Sequence, residues 1–473
     1  MERDPRSTVM LAWAKKNIAT EGKPATGLAS RLTSEDRFVV LTTRVSPDRL
    51  AHWTERAIAT KHGFLWAPGD LAKAHDAWTL AGHGATTSVE ACGADRFAHL
   101  REEARRQFSS TVEWAERDVL APRLRFFGGA AFHAELVDPL WTGFGDASFV
   151  LPRWLYGVKN GEAFLRFAFR REELAAPELL LAEIERVESD VSSDTANESA
   201  GSSSPPAADE DATWRPLVES ALAAITSGAF HKLVVARRTS VTRSISVSRS
   251  LRRLRRENSE STTFAFVRGL SAFFGASPER LIFLEGNRFF TEALAGTIAR
   301  ELDDDAAKKA LLASDKDRRE HRVVVDGIAA ALIPFSNAIE IAAAPAIRTL
   351  GRVHHLATPI TGQVDRNTHV LDLVAALHPT PAVSGLPQRA ASEWIRDHES
   401  FERGWYAAPV GWFDDRGDGT FAVAIRSALV SQNRAWVFAG AGIVNGSEPD
   451  AELRETQLKQ KTILAALSEG VAP

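Results

Sequence analysis

The sequence predicts an α+β fold in which antiparallel strands come in groups and helices fall between the groups. Three observations carry this reading. Strand-like runs cluster at hairpin spacing over 263–267, 273–275, 280–284 and 288–294, with the turn signal Glu285-Gly-Asn between the last two. The C-terminal part repeats the pattern over 408–413, 421–430 and 435–441, with a Gly-Asp-Gly turn at 417–419. Helical periodicity appears between these clusters and not after each strand, which speaks against a doubly wound parallel sheet.

Taken in chain order, the N-terminal part reads as a strand over 37–43, a helix near 95–119 and a strand over 124–132. The stretch 187–212 then breaks the composition, with seven serines, seven acids, the pair Pro205-Pro206 and no lysine or arginine. Such a segment buries too little apolar area to offset its ordering entropy, so a disordered loop is expected there. It separates an N-terminal part, 1–186, from a motif-dense region, 213–473. A helix follows from Trp214, then a strand over 232–237. The next helix, 248–257, carries Leu251 and Leu254 at i and i+3. Its arginines (Arg249, Arg252, Arg253, Arg255, Arg256) therefore read as a solvated face and not as a nucleic-acid patch. Helices are expected over 303–333, 370–377 and 387–398, and a last one from 448 to 467 with Ser447 as N-cap.

At 473 residues the chain can bury a full core, and its 25% charged and 44% apolar residues are those of a globular protein. The net charge of −4 gives no overall electrostatic footprint for nucleic acid, and removing the seven loop acids leaves +3. Cys92 is the single cysteine, so there is no intrachain disulfide and no multi-cysteine metal site. The start, Met1-Glu-Arg-Asp-Pro, lacks an apolar core of the export type, and no run reaches the ~18 apolar residues of a membrane span. A cytoplasmic protein is expected, with no membrane and no nucleic-acid partner.

Three patterns invite readings that fail. Gly440-Ala-Gly442-Ile-Val-Asn-Gly446 is one residue too long for a dinucleotide fingerprint and closes the chain instead of opening a βαβ unit. Arg319-Glu320-His321 ends like a metalloprotease helix, but Asp317 stands where the first histidine belongs. His354 and His355 alternate faces on a strand, so at most one can enter a pocket.

The residues with chemistry lie elsewhere. Asp317 and Glu320 stand at i and i+3 on one helix face, and Glu452 and Glu455 repeat that spacing on the last helix. Two such pairs match the needs of a hard cation such as Mg²⁺. They also match two solvated faces neutralised by Lys316, Arg318, Arg319 or Arg454. Lys232, Val234 and Ala236 share one face of a strand, where loss of water disfavours a charged amine and favours a base. Glu279, in Gly275-Ala-Ser-Pro-Glu-Arg280, sits at a turn between strands, as a general acid or as a partner of Arg280.

The runs Lys232-Leu-Val-Val-Ala-Arg237, Phe274-Gly-Ala-Ser-Pro-Glu-Arg280, Thr291-Glu-Ala-Leu-Ala-Gly-Thr297, Ser314-Asp-Lys-Asp-Arg-Arg-Glu-His321, Leu377-His-Pro-Thr-Pro-Ala-Val-Ser-Gly385, Pro409-Val-Gly-Trp412, Ala424-Ile-Arg-Ser427 and Ala439-Gly-Ala-Gly-Ile-Val444 with Arg454-Glu-Thr456 together resemble the chorismate-binding enzymes, most closely their isochorismate-forming members. Looser matches extend N-terminally through Arg125-Phe-Phe-Gly-Gly129 and Ala147-Ser-Phe-Val-Leu-Pro152. The resemblance implies two large antiparallel sheets packed as a sandwich, with helices outside and the active site between the sheets. It implies Mg²⁺-dependent conversion of chorismate to isochorismate, water adding at ring carbon 2 while the carbon 4 hydroxyl leaves. By position, Lys232 is the base and Glu279 the acid. The resemblance makes Glu320 and Glu455 the direct Mg²⁺ ligands, with Asp317 and Glu452 holding metal-bound waters. Arg426, Lys459, Gly440 and Gly442 hold the enolpyruvyl carboxylate, and Gly296, Thr297 and His355 form the pocket wall.

Single residues separate the relatives. Lys232 replaces the glutamine of ammonia-using anthranilate synthases, and Ala295 the lysine of aminodeoxychorismate synthases. Ala382 replaces the threonine common in salicylate synthases. No glutamine amidotransferase subunit is expected. The long N-terminal part and Trp154-Leu-Tyr-Gly157 resemble the menaquinone type, with siderophore or salicylate supply, or an inactive chorismate-binding regulator, as the alternatives.

Overall fold

The computed structural model describes residues 9–18, 32–70, 77–189, 212–300, 303–350 and 353–468. Among these, twenty strands form one hydrogen-bonded network. The long strand Ala147–Lys159 divides it into two layers. One side of this strand pairs throughout with Thr79–Ala91. On its other side, the first half pairs with Arg125–Ala130 and the second half with Glu162–Arg170.

The first layer continues from Thr79–Ala91 through His62–Ala67, Thr262–Arg268, Ser271–Ser277, Ser427–Ser431 and Arg434–Ile443 to Lys232–Thr242, with Gly385–Leu386 at its edge. The second runs from Arg125–Ala130 through Pro409–Asp414, Gly419–Val423, Arg280–Glu285 and Arg288–Ala299 to Val353–Val364. All these pairings are antiparallel, as the hairpin spacing predicts. The exception in the sheet is Phe38–Val45, which pairs in parallel with Thr111–Ala115.

The core explains the layering. In Thr262–Arg268, Phe264 and Phe266 join a cluster shared with the second layer, while Ala265 and Val267 join a cluster on the opposite face. Alternation with both faces apolar is what a strand covered on two sides requires. Between the layers, Phe64 stacks on Phe127 at 4.1 Å. The outer face of the first layer is covered by the helices Leu50–Ile58, Pro177–Ser189, Val247–Glu257 and Pro449–Leu467. Leu251 and Leu254 are buried there, as expected from their spacing.

Several boundaries differ from expectation. The helix predicted near 95–119 ends at Ser109, and the β-branched start of Thr111–Ala115 becomes a strand because Phe38–Val45 offers it a free edge. The helical region 303–333 is two helices, Asp304–Ala313 and Asp315–Leu332, split where Ser314 caps the second by accepting from the Asp317 amide. The strand predicted over 421–430 is broken between Val423 and Ser427. The last helix begins at Pro449 with Glu448 as N-cap; Ser447 instead accepts from the Val444 amide and bonds Glu452. The helix Pro177–Ser189 takes in the first three residues of the expected loop, with Val187 buried. Its remainder, 190–211, lies outside the described residues.

Candidate active site

A cavity of about 240 Å³ lies between strands of the two layers, and all thirteen residues singled out from the sequence line it. Six elements supply eleven of them: the strands Lys232–Thr242, Arg288–Ala299, Val353–Val364 and Arg434–Ile443, and the helices Asp315–Leu332 and Pro449–Leu467. Glu279 and Arg426 come from the connections between strands.

Lys232, the first residue of its strand, is 1% exposed, and its Nζ donates to Glu320 Oε1 at 2.9 Å. Its neighbour on the same face, Val234, also lines the cavity. The lysine therefore has an ionic partner and not the purely apolar surroundings expected from the strand pattern. Room for this pair comes from Gly442 on the next strand, which pairs with Val234. A Cβ on Gly442 would stand 2.8 Å from Glu320 Oε1 and 2.9 Å from Lys232 Cε. The glycine run is thus part of an antiparallel strand, which disposes of the dinucleotide reading.

Glu455 and Glu452 are also held by lysines. Glu455 Oε1 accepts from Lys459 Nζ at 2.6 Å one helical turn on, and the same Nζ donates to Gly440 O at 2.9 Å. Lys316 lies 3.6 Å from Glu452. Burial pushes the Glu455 carboxyl up, but the charges of Lys459, Lys316 and Lys232 outweigh it and hold it below its ordinary value. Glu452 is pushed up by burial and by the negative charges of Glu455 and Glu320. Asp317 accepts from the Ser314 hydroxyl and so also serves the cap of its own helix.

Glu279 faces the same space. Burial pushes its carboxyl up to about 7, with Glu292 adding to the shift and Lys232 and Lys459 opposing it. The Arg280 guanidinium lies 5.0 Å over the Phe290 ring. At Gly296 the strand Arg288–Ala299 bulges, with φ +74 and a register shift between Ala295 and Thr297. The bulge brings Gly296 against Asp317 and aligns Thr297 with His355, Oγ1 to Nδ1 at 2.9 Å. Burial, with the Arg426 and Lys459 cations, lowers the His355 imidazole to about 3, so it is neutral. His354 turns away to Asp304 and Thr349. Arg426, at the break between strands, has φ +51, a conformation unusual for a side-chain residue. Its carbonyl accepts from the Ala276 amide at 3.1 Å, and its side chain lines the cavity.

Two polar lining residues escape the sequence reading. Tyr406 places its hydroxyl where a Cβ on Gly440 would be 3.2 Å away, and burial pushes that hydroxyl's pKa up. Arg403 is 2% exposed and bonded to Glu399. Their one signal is the run Arg403-Gly-Trp-Tyr406, a cation beside aromatics ahead of a strand.

Five acidic side chains (Glu279, Asp317, Glu320, Glu452, Glu455) and five basic ones (Lys232, Lys316, Arg403, Arg426, Lys459) thus surround one small cavity. In kind, the carboxylates suit a hard divalent cation. Among the described residues no three acidic or histidine side chains already converge on one point, so a cation would have to draw Glu320, Glu452 and Glu455 from their lysines.

A buried acid, a buried lysine and clustered carboxylates between two antiparallel layers have the chemistry of an enzyme site. A family profile, chorismate binding enzyme, matches residues 28–468, and the chain belongs to that family. It is 39% identical to the salicylate biosynthesis isochorismate synthase of Pseudomonas aeruginosa over 81% of this chain and 82% of that protein. It is 34% identical to the isochorismate synthase MenF of Bacillus subtilis over 78% of each. Among solved structures, the menaquinone-specific isochorismate synthase MenF of Escherichia coli matches with a TM-score of 0.78 and 25% identity, covering 98% of this chain and 99% of that one.

Proposed function

We propose that this chain is an isochorismate synthase, an isomerase that converts chorismate to isochorismate. The observation that carries the reading is Lys232 and Glu279 facing one cavity with four further carboxylates. Lys232 takes a proton from a water that adds at ring carbon 2. Glu279, raised to about 7, protonates the hydroxyl leaving carbon 4. The ring double bonds shift between these events, and the water released balances the water consumed. Lys232 accepts a proton only as the neutral amine, whose lone pair faces the water while an N–H still donates to Glu320.

Mg²⁺ would be held by Glu320 and Glu455, with Asp317 and Glu452 on its waters, and would supply neutralisation of the ring carboxylate. Charge balance supports this assignment. The lining acids and bases nearly cancel, so a dianionic substrate arriving alone would leave an uncompensated double negative charge in a buried space. Arg426, Lys459 and the Gly440–Gly442 backbone then bind the enolpyruvyl carboxylate, while the neutral His355 with Thr297 and Gly296 forms the opposite wall.

Ala382 lines the cavity. With alanine there, the reaction is read as stopping at isochorismate, without pyruvate elimination. The supply of menaquinone synthesis is the favoured use of the product. Trp154 and Tyr156 do not themselves carry that preference: both are buried under Trp53 on the outer face of the first layer. The test is incubation of the purified chain with chorismate and Mg²⁺, with products separated chromatographically. Isochorismate without pyruvate is expected. Salicylate with pyruvate would favour the eliminating reaction, and no turnover with tight chorismate binding would favour a regulator.

A further inference from the structure

The strand Lys232–Thr242 has a full neighbour, Arg434–Ile443, on one edge. On the other edge, Gly385–Leu386 pairs only with Lys232 and Leu233. Beyond that point the Val234 amide donates to Ser384 O at 2.8 Å, and the next two groups on this edge are met by side chains. Val234 O accepts from Arg403 Nη2 at 2.8 Å, and the Ala236 amide donates to Glu399 Oε1 at 2.8 Å. The two side chains also bond each other, Nε to Oε2 at 2.8 Å and Nη2 to Oε1 at 2.5 Å. The remaining arm, Nη1, donates to Val383 O at 2.7 Å. Their side chains are 1% and 2% exposed.

The carboxylate accepts where a neighbouring strand's carbonyl would, and the guanidinium donates where its amide would. The pair therefore ties the Lys232 strand to the adjacent segment of Ala382 and Val383, which also lines the cavity. Stability alone is a weak reason to keep such a pair, because well-packed apolar replacements of buried ion pairs are often as stable or more so. A planar fork with fixed donor directions does what an apolar pair cannot, which is to fix distances between separate backbones.

We propose that Arg403 and Glu399 are positioning residues that fix the Lys232 strand against the Ala382–Val383 wall and so hold Lys232 in place in the cavity. For its assay the inference rests on the isochorismate reading, which wild-type turnover decides by itself. Two variants are compared with the wild type: Arg403→Lys, which keeps the charge but loses the fork, and the double variant Arg403→Gln with Glu399→Gln, which leaves no unpaired buried charge. In whichever folds with a cooperative melt, kcat should fall about 10²-fold, as displacements near 1 Å remote from the chemistry can produce, with KM changed by less than about threefold. Unchanged kcat in a folded variant would overturn the proposal and leave the pair a packing feature. Hydrogen exchange of the wild type is the arm that needs neither turnover nor a variant. The Ala236 amide should be as protected as amides in the sheet centre, and exchange at the rate of an open sheet edge would also overturn it.

Discussion

The substitution Glu279→Gln separates the cost of burying an acid from the use made of it. Wild-type Glu279 is 8% exposed, and burial pushes its carboxyl from 4.5 up to about 7. Between those values the native state holds a proton that the unfolded chain has released. The contribution of this group to stability is therefore full below about pH 4.5 and is lost as the pH rises through about 7. At about 1.4 kcal/mol per pH unit the whole span is worth about 3 kcal/mol, of which about 2 kcal/mol falls between pH 5.5 and 8. The glutamine variant cannot ionise and escapes this loss. Guanidinium unfolding of both proteins at the two pH values should show the variant gaining about 2 kcal/mol on the wild type as the pH rises. Every other titrating group is common to both chains, so the difference reports on position 279. The variant should also lose about 10²–10⁴-fold in turnover for want of an acid, and wild-type kcat should decline above about pH 7. A stability difference that does not change with pH would refute the burial argument. A wild-type rate flat from about pH 6 to 9 would take Glu279 out of the acid role.

The remaining predictions follow from the same geometry. Lys232→Arg keeps a cation beside Glu320 but provides no accessible base, so chorismate should still bind, by isothermal titration, while turnover falls about 10²–10⁴-fold. Near-normal turnover would move the base elsewhere, with His355 the next residue to test. Glu320→Gln and Glu455→Gln should each retain the fold and lose activity, with any residual rate needing more Mg²⁺; undiminished turnover at low Mg²⁺ in both would remove the metal assignment. Gly442→Ala should abolish most turnover with a nearly unchanged melt, since the new methyl meets Glu320 Oε1 at 2.8 Å and Lys232 Cε at 2.9 Å. A fully active alanine variant would show that the pair needs no such space.

The sequence by itself determined the antiparallel strand groups, the cavity-facing side of the Lys232 strand, the two i,i+3 carboxylate pairs and the family. Each of these is written in local periodicity or in contiguous words. Strand faces repeat every two residues and helix faces every three to four, so neighbours along the chain report on one another. Tertiary structure alone decided which of those faces meet. The Lys232–Glu320 pair joins residues 88 positions apart, and nothing local marks the lysine as paired. Whether 111–115 continued a helix or became a strand depended on an edge offered by Phe38–Val45, and the break before Ser427 falls where Arg426 takes φ +51. The Arg403–Glu399 fork illustrates the same limit: its spacing reads as an ordinary surface ion pair, and only the missing strand beside Val234 and Ala236 gives it a function. Long-range hydrogen bonds and burial depend on which distant segments the fold brings together, and that information is spread over the whole chain instead of residing in any window of it.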